Sequence, residues 1–350
     1  MKKFTALVLL SIALVSCKKE TKTITKIDPK TGKTITVEVP VGNTESAKNE
    51  NAALKDSLGI YKISFKLEKG KTYPFTTYQR DMQSISNGTQ SVSGTNESTD
   101  EMTFTVDNVD EKGNYNLSMI LAGKRMQTSS QGKTASIDTK GTPPTEPQQK
   151  FMWAVQKAQT GNKLNIKMDK TGKILSITGF EPIYKKINAA ALSIIKDATQ
   201  TKNFMDGLKQ SYNEKFLKEE FEKNINVIPA KGVKIGESWT ETQNVTPDGS
   251  VKISSTYTLK NIENGIAEIT VKGGIPRKAN SQSKNGFTHS LSLEGNQTGT
   301  IKLDANTGWI LGSKLQLNST EKESLTDGKQ TQAMTKKTNS TVYINPNYKF

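Results

Sequence analysis

Ile60-Tyr61-Lys62-Ile63-Ser64-Phe65-Lys66-Leu67 places Ile63, Phe65 and Leu67 on one side of an extended chain and Lys62, Ser64 and Lys66 on the other. Successive side chains of a strand point to opposite faces, so a period of two reads as a strand with one dry and one wet face. The alternation returns in Met102–Val106, Tyr115–Met119, Leu164–Met168, Tyr257–Leu259 and Thr300–Leu303, with Gly, Asn and Asp turns between the runs. One wetted face per strand is the mark of antiparallel sheet, because parallel strands are buried on both sides.

Three segments recur in the same order. Gly70-Lys71-Thr72-Tyr73 is echoed by Gly236-Glu237-Ser238-Trp239. Phe104–Val109, closed by Gly113, is echoed by Tyr257–Ile262, closed by Gly265. Leu164–Leu175 is echoed by Thr300–Leu311. Alternation alone could imitate one match but less easily three. The fold class is therefore mainly β (α+β), two related antiparallel β-modules joined by a helical segment, after a signal peptide and a flexible tether.

Asp28, Asp169 and Asp304 each precede a Thr-Gly pair, which invites a calcium loop. Calcium takes six to eight oxygens, usually from several carboxylates. One carboxylate per turn fits a hairpin better, with Asp bonding its own backbone and Gly supplying positive φ.

Between the modules the period lengthens. Ile183, Ile187, Ala190, Ala191, Ile194 and Ile195 share a helical face after Glu181-Pro182. Phe204, Leu208, Tyr212 and Phe216 form a second stripe continued by Leu217 and Phe221, and Pro229 closes the region. Such a stripe packs on a sheet by default; as a site it would cover a hydrophobic ligand, with Phe204, Leu208, Tyr212, Phe216 and Phe221 as the covering residues. Gln127–Pro147, polar and holding Pro143-Pro144, reads as a loop or weak edge hairpin. The expected division is 1–16 signal peptide, 17–58 lipidated tether with a hairpin around residues 28–32, 59–179 first module, 180–228 helical connector and 229–350 second module.

The chain opens on Met1-Lys2-Lys3, runs apolar from Phe4 to Val15, and reaches its only cysteine, Cys17, directly after Ser16. A basic start, a short apolar stretch and a small residue before the cut describe a secretory signal, too short for a spanning helix. Cysteine at the cut resembles a lipobox, in which the thiol is acylated and becomes the new N-terminus. Acyl chains contribute about 0.8 kcal/mol per buried methylene, enough for lasting attachment when several act together.

With Cys17 in lipid, neither a disulfide nor a thiolate for metal or catalysis remains, and His289 is the only histidine. A Ser-His-Asp triad or a His-rich metal site needs more imidazole or a recognisable setting. His289 lies in the alternating run Phe287–Leu291 and reads as a strand residue. Glu219-Glu220 and Asp100-Glu101 are adjacent along the chain rather than opposed across a cleft, so they read as solvated charges. These features imply no enzyme, no cofactor and no metal; a hydrolase using only Asp, Glu, Ser or Tyr is the residual enzymatic reading.

The formal charge is +15. The positives are nearly all lysine, with only Arg80, Arg125 and Arg277 offering the bidentate fork that nucleic-acid readers favour. Scattered lysines between strands make a solvated surface, so nucleic acid is not the expected partner.

The cysteine followed by Lys18-Lys19-Glu20, Lys69–Tyr73, Asp169–Ile174 and Ile228–Trp239 together resemble an uncharacterised family of Bacteroidota lipoproteins, grouped as a domain of unknown function. The resemblance spans Tyr61 to Ile344 and carries no catalytic residues over. It implies a β-rich exported lipoprotein of the cell envelope, at the outer membrane; with no clear acidic export tag after Cys17 the periplasmic face is expected, surface exposure being the alternative. The expected activity is non-enzymatic binding of an amphipathic, lipid-like ligand or an envelope protein. The alternative is a structural or assembly subunit without a small ligand.

Overall fold

The computed structural model describes residues 21–27, 34–40, 52–244, 249 and 251–349; the expected signal segment, Cys17 and the turn expected around residues 28–32 lie outside the described residues. The chain divides into two compact units, residues 1–49 and 50–350. In the first, β1 (Thr21–Ile27) pairs antiparallel with β2 (Thr34–Pro40), Ile27 opposite Thr34, as the two β-branched runs indicate.

The second unit opens with a small hairpin, β3 (Leu54–Ser57) and β4 (Ile60–Ile63). Next come β5 (Thr72–Asn87), β6 (Gln90–Val109), β7 (Tyr115–Ser130), β8 (Lys133–Asp138) and helix α1 (Pro147–Gln159). β9 (Lys163–Met168) and β10 (Ile174–Thr178) lead into α2 (Phe180–Ile194), α3 (Ala198–Ser211) and α4 (Glu214–Ile225). The chain closes with β11 (Ser238–Asn244), β12 (Lys252–Glu263), β13 (Ile266–Lys284), β14 (Phe287–Asp304), β15 (Ile310–Thr326) and β16 (Thr331–Ile344). Strand is the dominant element and the fold is mainly β.

Both repeats enter one 12-stranded antiparallel sheet, ordered β10-β9-β7-β6-β5-β16-β15-β14-β13-β12-β11, with β8 also on β7. The seam between them is β16 against β5, in register from Ile344–Thr77 to Met334–Asn87. The repeat extends to irregularities. The β6/β7 register slips between Val106 and Asn108, and the β12/β13 register slips at the matching place, between Leu259 and Asn261. Both turns that lead in are bonded alike: Gly70 N–H donates to Val106 O (2.8 Å) and Gly236 N–H to Leu259 O (2.7 Å). The modules also differ in how their fourth strand is built. β14 pairs β13 along nearly its whole length, whereas β7 is paired by β9 at one end and β8 at the other. The first repeat therefore has its fourth strand interrupted, and α1 occupies the interruption.

The sheet's inner face holds the core. Phe75, Phe104, Leu117, Ile166, Leu259, Ile269 and Leu303 point to it and are buried, and Ile183, Ile187, Phe221 and Ile225 of the helices close over it. Helix starts follow local chemistry: Asp197 accepts from Thr199 and Gln200 N–H, and Asn213 accepts from Phe216 N–H. Asn213 also divides α3 from α4. Helix α1 falls in Pro147–Gln159, where the sequence pattern gave no helical signal; Glu146 caps it and Trp153 Nε1–H donates to Asp138 O (2.9 Å). The Gln127–Pro147 stretch does contain an edge hairpin, formed by the end of β7 and β8.

The strand expected over 60–67 is shorter, because β4 ends at Ile63. Ser64 N–H still donates to Ala53 O (2.8 Å) beside β3, but residues 65 and 66 bond to the two repeated turns. Phe65 N–H donates to Lys170 O (2.7 Å) and Lys66 N–H to Thr307 O (3.0 Å). Phe65, 1% exposed, is thus inserted between the equivalent turns of the two repeats. In those turns Asp169 Oδ1 accepts from Thr171 N–H (2.8 Å) and Asp304 Oδ1 from Asn306 N–H (2.8 Å), the backbone-bonding role that a hairpin reading gives them.

Beyond the core, β5, β6, β7 and β13–β16 continue outward as an arm of long strands. Its two faces differ. The inner face mixes Leu291, Leu293, Leu315, Leu317 and Val342 with the Glu321–Lys336 ion pair and the His289–Glu323 hydrogen bond. The outer face is richer in amides and hydroxyls, with cross-strand pairs such as Ser281–Ser290 (3.0 Å) and Ser84–Ser91 (3.2 Å), beside the Arg80–Glu97 (3.0 Å) and Arg125–Asp138 (3.2 Å) ion pairs.

Candidate functional site

Where the seam meets the start of β15, a cavity of about 430 Å³ opens between Tyr73, Pro74, Trp309, Leu311, Pro346 and Tyr348. Each wall is set by a bond outside its own hairpin. Trp309 follows the Asp304 turn; its Nε1–H donates to Pro74 O (3.0 Å), and its ring lies 5.2 Å from that of Tyr73. The Tyr73 hydroxyl accepts from Glu68 N–H (3.0 Å), and burial of the ring raises its pKa.

Asn345 ends β16 in the left-handed region, φ 50°. Its Oδ1 accepts from Thr76 N–H (2.9 Å), while Nδ2 donates to Ile310 O (3.2 Å) and Pro74 O (3.3 Å). One side chain thus ties β5 to β15 across β16 and turns Pro346–Tyr348 back over the sheet. Gly312 leaves the room that this return needs, since a Cβ there would lie 2.9 Å from Tyr348 Cβ.

Two charges stand at the rim. The Lys71 ammonium pairs with Glu68 (3.0 Å) and lies 5.7 Å from the Tyr73 ring centre; the bond to Glu68 raises its pKa. Asp304 is committed to its turn, accepting from Asn306 and Thr307 N–H. An aromatic and aliphatic cavity of this size with a cation at its mouth suits a ligand with an apolar body and a polar end. Its lining contains no histidine or cysteine.

The helical stripe has a different setting. Phe221 is 2% exposed and packs its ring on Phe75 (6.0 Å) and Phe104 (5.2 Å). Phe204 contacts Phe151, Leu208 packs against the core, and the Tyr212 ring meets that of Phe180 at 5.7 Å. Burial, then the neighbouring Tyr184 and Asp100, push the Tyr212 hydroxyl up to about 12. Phe216 is exposed. The stripe residues belong to two helices, and neither the seam cavity nor the groove on the arm is lined by them. Cys17 lies outside the described residues. His289 sits on β14, its Nε2 2.7 Å from Glu323. Asp100 pairs with Lys124 (3.0 Å), Glu101 with Lys140, and Glu220 with Lys223 (3.8 Å). Among the described residues no cluster of His, Cys, Asp and Glu could hold a metal ion.

Sequence reasoning used Tyr73 and Trp309 as repeat markers without seeing that they meet. Pro346 and Tyr348 carry no local signal of a site.

The fold and cavity define a seam-joined antiparallel sheet protein. The family described as "Family of unknown function (DUF6263)" matches residues 112–310, more than half of the chain, which belongs to that family. No curated protein matches it. Among solved structures, lipovitellin, from work on its lipid–protein interactions, is similar at 8% identity and a TM-score of 0.38, over 80% of this chain and 25% of that one. An outer membrane channel from Pseudomonas putida F1 is similar at 9% identity and a TM-score of 0.21, over 80% of this chain and 97% of that one. The chain spans about a quarter of the lipovitellin chain, and TM-scores this low establish no shared fold. Among the described residues no helix is long and apolar enough to cross a membrane.

Proposed function

We propose that this chain is a non-enzymatic lipoprotein of the bacterial cell envelope, of Bacteroidota type, anchored by acyl chains on Cys17. In this reading its body receives the apolar part of an amphipathic ligand in the seam cavity, on the periplasmic side of the outer membrane. The observation that carries it is the 430 Å³ cavity walled by Trp309, Tyr73 and Tyr348, with Lys71 at the mouth. The apolar walls take an acyl or ring system, and the ammonium takes an anionic or zwitterionic end. The lipobox resemblance at Cys17 supports the address.

A test uses the chain with Trp153→Phe and Trp239→Phe, which leaves Trp309 as the sole tryptophan. Titration with a brominated monoacyl amphiphile below its micelle concentration is expected to quench Trp309 saturably. Absence of quenching, together with lipid-free native mass spectra after gentle extraction, overturns the ligand. Failure of radiolabelled palmitate to mark the wild type overturns the anchor.

A second reading, an assembly subunit without a small ligand, is favoured by the arm. Ile85, Val92, Phe287, Leu291 and Leu325 are 39–50% exposed on its inner face. Co-purification of a stoichiometric protein with an unoccupied cavity would select it.

A further inference from the structure

The outer face of the arm carries a second cavity, a groove of about 610 Å³ that crosses β15, β16, β5, β6 and β7. Its registers place Asn318, Asn339, Met82, Thr95 and Ser129 in one cross-strand row. The next row outward is Thr320, Lys337, Ser84 and Ser93. Asn339 Nδ2 donates to Asn318 Oδ1, and Asn318 Nδ2 to Asn296 Oδ1 (3.4 Å), so the amides form a ladder over three strands. Two rows inward on the same face, the half-buried rings of Tyr78 and Tyr343 lie 5.9 Å apart across the seam. Met82 lies four residues beyond Tyr78, about 14 Å along the strand, and the outer-face row between them holds the Arg80–Glu97 ion pair (3.0 Å).

The lining chemistry selects among ligands. No carboxylate lines the groove and Lys337 is its only charged residue, so a phosphate-bearing polymer or headgroup would find no cation cluster. Met82 is the only large apolar side chain, so a protein partner would find no hydrophobic anchor. Planar amides and hydroxyls at regular spacing, with an aromatic step nearby, match a chain of vicinal hydroxyls and apolar C–H faces. We propose that a linear oligosaccharide binds this face, running from the Tyr78–Tyr343 step past the Arg80–Glu97 pair into the groove at the Asn318–Asn339 ladder. The site is on the opposite face of the arm from the leucines and is separate from the seam cavity.

The test is isothermal titration of the purified full chain with maltoheptaose, chitohexaose and a delipidated core oligosaccharide from lipopolysaccharide. At least one is expected to bind, with affinity falling tenfold or more in Asn318→Ser/Asn339→Ser and in Tyr343→Ala. Trp309→Phe, in the seam cavity, is expected to leave that binding unchanged, so failure here is distinguishable from failure of the amphiphile reading. Unfolding midpoints matching wild type exclude a folding defect. Where Tyr343→Ala unfolds early, the pair of exposed Asn318 and half-buried Asn339 decides alone. No heat with any of the three at millimolar concentration overturns the proposal. Binding untouched by the asparagine substitutions, or self-association that they abolish, also overturns it.

Discussion

Replacing Gly172 by alanine should cost far more than replacing Gly236, although the two share a backbone conformation. Their φ angles are 87° and 81°. An L-residue in the left-handed region costs roughly 1–2 kcal/mol, partly offset by about 0.4–1 kcal/mol from a stiffer unfolded chain. Around Gly236 no heavy atom lies within 4 Å of an added Cβ, so Gly236→Ala isolates this backbone cost at about 1 kcal/mol. At Gly172 the Cβ would meet the Asn226 amide and lie 2.6 Å from Phe65 Cε2. The amide can swing away, giving up its bond to Gly172 O (3.2 Å), at about 1 kcal/mol. The Phe65 ring is 1% exposed and held between the two turns, so it has nowhere to go. Overpacking of this kind costs roughly 1–3 kcal/mol. The total for Gly172→Ala is about 3–5 kcal/mol. Urea unfolding, followed by far-UV circular dichroism, measures both variants against wild type. A difference between them under about 0.5 kcal/mol would refute the role given to Phe65 as the pin between repeats.

Three further outcomes are expected. Asn345→Ala loses the bonds to Thr76, Pro74 and Ile310 and places alanine, which tolerates the left-handed region less well than asparagine, at φ 50°, at about 2–4 kcal/mol in the same urea assay. Asn345→Gly keeps the conformation and should recover about 1 kcal/mol of that loss; equal losses would deny the conformational part. Tyr212 titrates near 12 in the folded chain against about 10 unfolded, so its neutral form stabilises fully below pH 10 and this is lost as pH climbs towards 12. Tyr212→Phe should flatten the alkaline limb of stability, read from thermal midpoints across that range. The Asp110 carboxylate is held well below its usual range by bonds from Lys167 and Asn114. Its stabilisation is present above about pH 4 and lost as pH falls below that, so Asp110→Asn should be less sensitive to acid than wild type.

Much of this architecture was legible locally. Alternation in Tyr115–Met119 and Leu164–Met168 put the buried side chains on the correct face, because side-chain direction in a strand depends only on parity. The repeated Asp-Thr-Gly turns formed as read, since an Asp side chain and a positive-φ glycine act within a few residues. Helix α1 was missed because its polar residues show little periodicity and tertiary contact through Trp153 holds it. The 60–67 run ended early because Phe65 and Lys66 found partners in turns more than a hundred residues away.

What the amino-acid order determined alone was the antiparallel class, the internal repeat and the turn chemistry; it also motivates the proposed acylation at Cys17. Tertiary structure decided how the pieces join. Whether β5 pairs with β16 is a choice between strands some 250 residues apart, and no local preference encodes it. The seam cavity exists only after that pairing, because its walls come from residues 71–76, 304–311 and 345–348. Strand parity is a property of each segment. Register and the cavities that it forms are properties of the assembled sheet.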